Sequence, residues 1–194
     1  MSGVTDPRVR RTRTVVIATA LRLLVERGVA GTTVEAVAER SGVAKTTIYR
    51  HWNGQADLVL DAFASVRRPP TDPDSGSLHG DLVELVGGLA SALSDGPAAG
   101  LWFALIDAAE RDRDFAALHR REAEARHEVI LRVVERGIAR GELAEGTDPL
   151  DVLDLLAGPL FHRRAVGGAT VDRAFAERVV ARVLAAYAPG RNRS

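Results

Sequence analysis

The sequence contains no cysteine, which excludes a disulfide framework, a thiolate zinc site and a cysteine nucleophile. Aromatic residues are scarce at 5%. The apolar content is therefore mostly Ala, Val and Leu, a composition suited to packed helices. No apolar run approaches the roughly 20 residues needed to cross a bilayer, and the N-terminal arginines precede no apolar core of signal-peptide length. The expectation is a soluble, cytoplasmic chain with no membrane partner. A Gly-rich phosphate loop, a Gly-x-Ser-x-Gly elbow and a His-Glu-x-x-His pair are also missing, so no enzyme and no cofactor are expected. Lysine is almost absent: Lys45 is the one lysine in the chain, every other cation being arginine.

Net charge of either sign is lacking too, with 26 basic and 26 acidic residues. Zero net charge alone argues against a nucleic-acid partner, but the charge is unevenly distributed. Residues 8–53 hold nine basic residues against three glutamates, whereas residues 54–194 hold 17 basic and 22 acidic ones. A basic N-terminal unit on an acidic body is the asymmetry expected where one end meets DNA.

What is present is organised around residues 32–58. On residues 33–41, Val34, Val37, Ala38 and Ser41 fall at helical spacing and form one buried stripe. Gly42 supplies the residue best able to take a left-handed backbone and so to end that helix. Residues 44–52 place Ala44, Ile48 and Trp52 on one side, and Thr46, Tyr49, Arg50 and Asn53 on the other, flanked by Lys45 and Thr47. A helix face with hydroxyls, a phenol and cations but no carboxylate suits phosphates and base edges. The pattern reads as a helix-turn-helix whose recognition helix covers residues 45–51.

Around this motif the periodicity is helical throughout. A first helix over residues 11–27 buries Ile17, Ala20, Leu21 and Leu24. The arginines ahead of it are either a DNA-reaching arm or a solvated tail. A fourth helix from Gly54 buries Leu58, Val59, Ala62 and Phe63. Three prolines within residues 67–76 mark a domain boundary. Beyond it, a helix over residues 78–93 is followed by a turn at residues 95–97, an apolar run at residues 101–106, and a long helix ending at Gly141. The cap-then-proline signal Asp148-Pro149 opens a helix burying Leu150, Leu153, Leu156 and Leu160. A last helix carries Phe175, Val179, Val183 and Tyr187 on one edge. The fold class is all-α: an N-terminal three-helix helix-turn-helix DNA-binding domain at residues 8–67, plus a larger helical ligand-binding and dimerisation domain at residues 78–188. On the long helix, which also carries Glu128, His119 and Glu122 share one face and Glu124 and His127 share another; such charge-dense faces are usually solvated, so no metal site is expected.

Thr32-Thr33-Val34, Gly42-Val43, the run Thr46-Thr47-Ile48-Tyr49-Arg50-His51-Trp52 and the following Leu58 resemble the TetR family of transcriptional regulators. The resemblance is close over residues 15–63. Beyond them it is one of layout, including Gly158-Pro159-Leu160-Phe161-His162-Arg163. It implies DNA contacts from Lys45, Thr46, Thr47, Tyr49, Arg50 and His51, with Tyr49 and His51 on phosphates and Thr33 at a phosphate-contacting position. Two departures stand out: Ala44 replaces a frequent serine cap, and Gln55 replaces a frequent lysine, leaving a hydrogen-bond donor without the charge. The resemblance further implies an effector cavity, for which Trp102, Phe103, Ile106 and Phe161 are apolar candidates and Asp107, His119 and His162 polar ones. Core packing remains the alternative for each aromatic. The last two helices, at residues 149–166 and 171–187, are expected to pair with a second copy. The implied function is a homodimeric repressor that binds a palindromic double-stranded operator and is released by a small-molecule effector. The alternative is a small-molecule-binding helical protein with weak or vestigial DNA binding.

Overall fold

Gly28 and Gly42, at φ 68° and 72°, end the first two helices. The computed structural model describes residues 7–66, 71–94 and 99–190, so the turn expected at residues 95–97 and part of the proline-rich boundary lie outside the described residues. Among those described, the regular structure is helical: α1 (Pro7–Arg27), α2 (Val34–Ser41), α3 (Lys45–Tyr49), α4 (Gln55–Val66), α5 (Leu78–Ser94), α6 (Leu101–Arg111), α7 (Arg113–Ala139), α8 (Pro149–Ala165) and α9 (Arg173–Ala186).

Helices α1 to α4 form one compact unit together with residues Gly100–Arg121. Within it α1 packs on both α2 and α4, and α2 on α3. The core of α1 is Val16, Ala20, Leu23 and Leu24. Ile17 and Leu21, expected inside, are only half-buried, because the buried stripe is rotated toward Val16 and Leu23. The helix already includes Arg10, Arg11 and Arg13, so these residues are helical and not an extended arm. Val34, Val37 and Ala38 are buried on α2 as expected, but Ser41, at the helix end, is only half-buried; on α4 the expected Leu58, Val59, Ala62 and Phe63 are buried. Phe63 meets Trp102 of α6 edge to face, with ring centroids 5.1 Å apart.

The other unit gathers residues 71–94 with those from Glu122 onward. Here α5, α8 and α9 pack mutually. Asp148 caps α8 by accepting from the Leu150 N–H at 2.8 Å, with Pro149 at the first helical position. Asp172 caps α9 through the Phe175 N–H at 2.7 Å. Such caps are each worth about 1 kcal/mol. Leu153, Leu156 and Leu160 are buried on α8 as expected, but Leu150 is 54% exposed and Val152 takes its place in the core. Both residues sit in the first turn of α8, so the side of the helix each occupies, and not the distance from the helix end, separates them. The stretch before α5 is pinned by charge. Arg136 of α7 binds Asp72 at 2.8 Å and the Pro73 carbonyl at 2.6 Å, while buried Asp81 accepts from both the Ser75 N–H and hydroxyl.

Candidate nucleic-acid interface

The interface begins with Thr33. Its extended backbone (φ −76°, ψ 160°) places the hydroxyl to accept from the Ala36 N–H at 3.1 Å, capping α2. At the other end Gly42 adopts φ 72°, a left-handed conformation in which its N–H bonds the Ala38 carbonyl. Only glycine takes this backbone without strain. The Ser41 hydroxyl accepts from the Val43 N–H at 3.2 Å, completing the turn.

The second helix α3 is shorter than expected: five residues, Lys45–Tyr49, followed by turn hydrogen bonds from His51 and Trp52 back to the Ile48 carbonyl. Arg50 and His51 therefore ride on that turn and not on the helix itself. Ala44 gives α3 no side-chain cap, as the missing hydroxyl requires. It is exposed, not part of the buried stripe. Two anchors hold the element down. Ile48 is fully buried and Trp52 is 3% exposed. The Trp52 indole N–H donates to Asp61 Oδ2 at 2.9 Å, and Arg13 binds the same oxygen at 2.7 Å.

With Ile48 and Trp52 inside, the opposite side faces outward. Lys45, Thr46, Tyr49, Arg50 and His51 are exposed, Tyr49 at 52%, and Thr47 is half-buried. Arg50 donates to the Thr47 hydroxyl at 3.3 Å. His51 stands edge-on to Trp52 with ring centroids 5.6 Å apart. Lys45 lies 3.3 Å from the Glu35 carboxylate, a partner the sequence reading did not supply. The Glu35 carboxyl is held below its ordinary range, first by its own backbone N–H and then by Lys45. Gln55 is half-buried and donates through Nε2 to the Val29 carbonyl at 2.8 Å, which ties the start of α4 to the loop after α1. Asp57 fixes Asn53 through its backbone and side-chain N–H groups.

The candidate effector residues are divided between the two units. Trp102 is buried on α6, with Phe103 and Ile106 half-buried beside it. Asp107 is exposed and paired with Arg111 one turn on, at 2.8 Å, which holds its carboxyl below the ordinary range. His119 is half-buried on α7. Phe161, half-buried, and His162, exposed, belong to α8 in the other unit. Of the charge-dense α7 face, the Glu122 side chain lies outside the described residues. Among the described ones no group of three His, Asp or Glu side chains could hold a metal ion.

A capped helix, a glycine turn, and a short second helix whose Ile48, with Trp52 of the following turn, is buried while its hydroxyls and cations are exposed define a DNA-binding helix-turn-helix. The model described as "Bacterial regulatory proteins, tetR family" matches residues 16–62, and that described as "Tetracyclin repressor-like, C-terminal domain" matches residues 72–183. The chain belongs to the TetR family. It is similar to the uncharacterized HTH-type transcriptional regulator YdeS of Bacillus subtilis, 33% identical over 90% of this chain and 88% of that one. It is likewise similar to the DNA-binding transcriptional repressor TetR of Mycobacteroides abscessus, 31% identical over 87% of this chain and 89% of that one. The crystal structure of the TetR family transcription regulator SCO0332 matches with a TM-score of 0.72 and 29% identity, over 92% of this chain and all of that one. The chain is accordingly a helix-turn-helix transcriptional regulator and not an enzyme, of a family whose members bind DNA and typically work as dimers. Among the described residues no helix is long and apolar enough to cross a membrane.

Proposed function

We propose that the protein is a homodimeric, effector-responsive repressor acting on a palindromic operator in the cytoplasm. The observation that carries the reading is the two-sidedness of residues 45–52: Ile48 and Trp52 are locked inside, and the outward set carries no carboxylate of its own. DNA contacts are assigned to Thr33, Lys45, Thr46, Thr47, Tyr49, Arg50 and His51. Gln55 would contribute through whichever donors its bond to Val29 leaves. A domain at residues 8–67 reads DNA, and one at residues 78–188 binds effector and partner.

A single short helix buries little surface, so a two-fold dimer that doubles the contacts is the economical arrangement. Exposed Leu150, Leu155 and Val166 on and just after α8 (54, 47 and 74% exposed) supply apolar area for residues 149–166 and 171–187 to pair with a second copy. Two recognition helices about 34–36 Å apart would then enter successive major grooves on one DNA face. A small molecule bound by this chain would favour a spacing that misses those grooves; Trp102, Phe103, Ile106, Asp107 and His119 are the candidates in one unit, and Phe161 and His162 those in the other. A useful response needs it to prefer that state by about 1–3 kcal/mol. Repression, and not activation, is proposed by analogy with the Mycobacteroides relative, a DNA-binding transcriptional repressor. The test is a footprint on the DNA flanking the protein's own gene at low salt. Symmetric protection of two half-sites one helical turn apart is expected, and no protection contradicts the reading.

One observation favours the second reading, a helical small-molecule-binding protein with vestigial DNA binding. The Gln55 side chain is turned inward to Val29 at a position where a cation would meet phosphate. A salt titration separates the two, because phosphate engagement gives a steep negative slope of log K against log salt.

A further inference from the structure

Glu35 lies at the start of α2, two residues after the Thr33 cap, on the side assigned to DNA. Its Oε1 is 3.3 Å from Lys45 Nζ at the first position of α3, and both side chains are more than half exposed. Glu35 is the acidic residue in the first turn of α2. One anion thus sits at a helix N-terminus and holds a side-chain cation, the surroundings that a DNA phosphate uses. A phosphodiester oxygen has the same charge and the same need for donors, so the two compete for one place.

We propose that Glu35 is an intramolecular stand-in for a DNA phosphate, holding Lys45 in the free protein and surrendering it when a duplex docks. This rests on the DNA interface proposed above. The identity of the cation fits the exchange. Arginine forms rigid two-point pairs with carboxylates, as Arg40 does with Glu26 through bonds of 2.5 and 2.9 Å on this same unit. An ammonium is a compact point charge on a flexible stem that changes partner more readily. In a chain whose other cations are all arginine, the one lysine stands where the partner must change. Moving Lys45 from one anion to another gains little by itself, so Glu35 lowers purely electrostatic binding. Recognition is then left to lean on the groups that reach base edges.

Four full-length proteins test this: wild type, Glu35→Gln, Lys45→Gln and the double variant, each titrated against a fluorescein-labelled mixed-sequence DNA duplex over a salt series. Glu35→Gln is expected to bind about threefold to fivefold tighter at low salt, the scale of an exposed ion pair. Its slope of log K against log salt should be steeper by up to about 0.9, one phosphate contact. The gain should vanish in the Lys45→Gln background. An equal gain in that background would mean plain repulsion between Glu35 and DNA, and would overturn the proposal. So would unchanged or weaker binding by Glu35→Gln, with or without a lowered melting temperature, because the pair would then be structural. If neither wild type nor Glu35→Gln binds at low salt, the DNA interface itself fails, a result distinct from all the others.

Discussion

The indole N–H of Trp52 and the carboxylate of Asp61 are joined by a 2.9 Å hydrogen bond that links the end of the recognition element to the middle of α4. Arg13 of α1 binds the same Asp61 oxygen at 2.7 Å, so three parts of the N-terminal unit meet at one atom. The exposed face of residues 45–51 owes its orientation to this junction and to the fully buried Ile48.

Trp52→Phe keeps most of the packing and removes the donor, so the lost charge-assisted bond should cost about 1–2 kcal/mol. Trp52→Ala should cost about 3–5 kcal/mol, because it also opens a cavity. Urea unfolding midpoints of the two variants check the order. Both should weaken DNA binding, although Trp52 itself is only 3% exposed.

Gly137 lies against Leu78, where a Cβ would stand 2.5 Å from Leu78 Cδ2 and 3.0 Å from Cγ. Leu78 is 1% exposed and cannot swing into solvent. Gly137→Ala should therefore destabilise by about 1–3 kcal/mol through overpacking, despite alanine's better helix propensity. Gly88 in α5 is exposed with nothing within 4 Å of a Cβ, so Gly88→Ala should stabilise by about 0.5–1 kcal/mol. Thermal midpoints that shift in opposite directions confirm the pair.

The Arg136 guanidinium, and behind it Arg132, hold the Asp72 carboxyl below its ordinary value of 3.8. A carboxyl depressed in the folded state contributes stability above its unfolded value, and that contribution is lost as pH falls through the folded one. Asp72→Asn should therefore be less stable than wild type at neutral pH, with the gap closing below about pH 4. The group is exposed and screened by solvent, so the difference will be small and will shrink further in salt. Urea midpoints at neutral and acidic pH measure it.

Leu155 is 47% exposed on α8, between exposed Asp154 and buried Leu156. Leu155→Asp should shift sedimentation from dimer toward monomer and weaken DNA binding in parallel, leaving the helical content of the chain unchanged. A variant that stays dimeric would place the partner surface elsewhere.

Local signals carried most of what the sequence revealed. Gly42 and Asp148-Pro149 act within a few residues of themselves, so the turn and the cap they specify were readable in order. The buried side of residues 44–52 was readable because Ile48 and Trp52 are four apart on a helical turn. Facts that depend on residues far apart in the chain were not readable. The bond from Gln55 to Val29 spans 26 residues and that from Leu78 to Glu142 spans 64. Spacing from Leu153 put Leu150 in the core, but the buried side of α8 is centred on Val152, Leu153, Leu156 and Leu160, which leaves Leu150 outside it. The same geometry placed Ile17 and Leu21 inside α1, where the packing of α2 and α4 selects Val16 and Leu23 instead. The Glu35–Lys45 pair was hidden for the opposite reason: both side chains are exposed, and hydrophobic periodicity says nothing about solvent-side partners.

The central claim is that the outward face of residues 45–51 reads DNA, and Tyr49, 52% exposed and outside the core, tests it most directly. Wild type and Tyr49→Ala would be compared for binding to the duplex flanking the protein's own gene, with sedimentation and melting run on both. The expected result is a loss of about tenfold or more in affinity, the scale of one good DNA contact, with the dimer and melting temperature unchanged. Equal affinity in the two proteins would contradict the assignment.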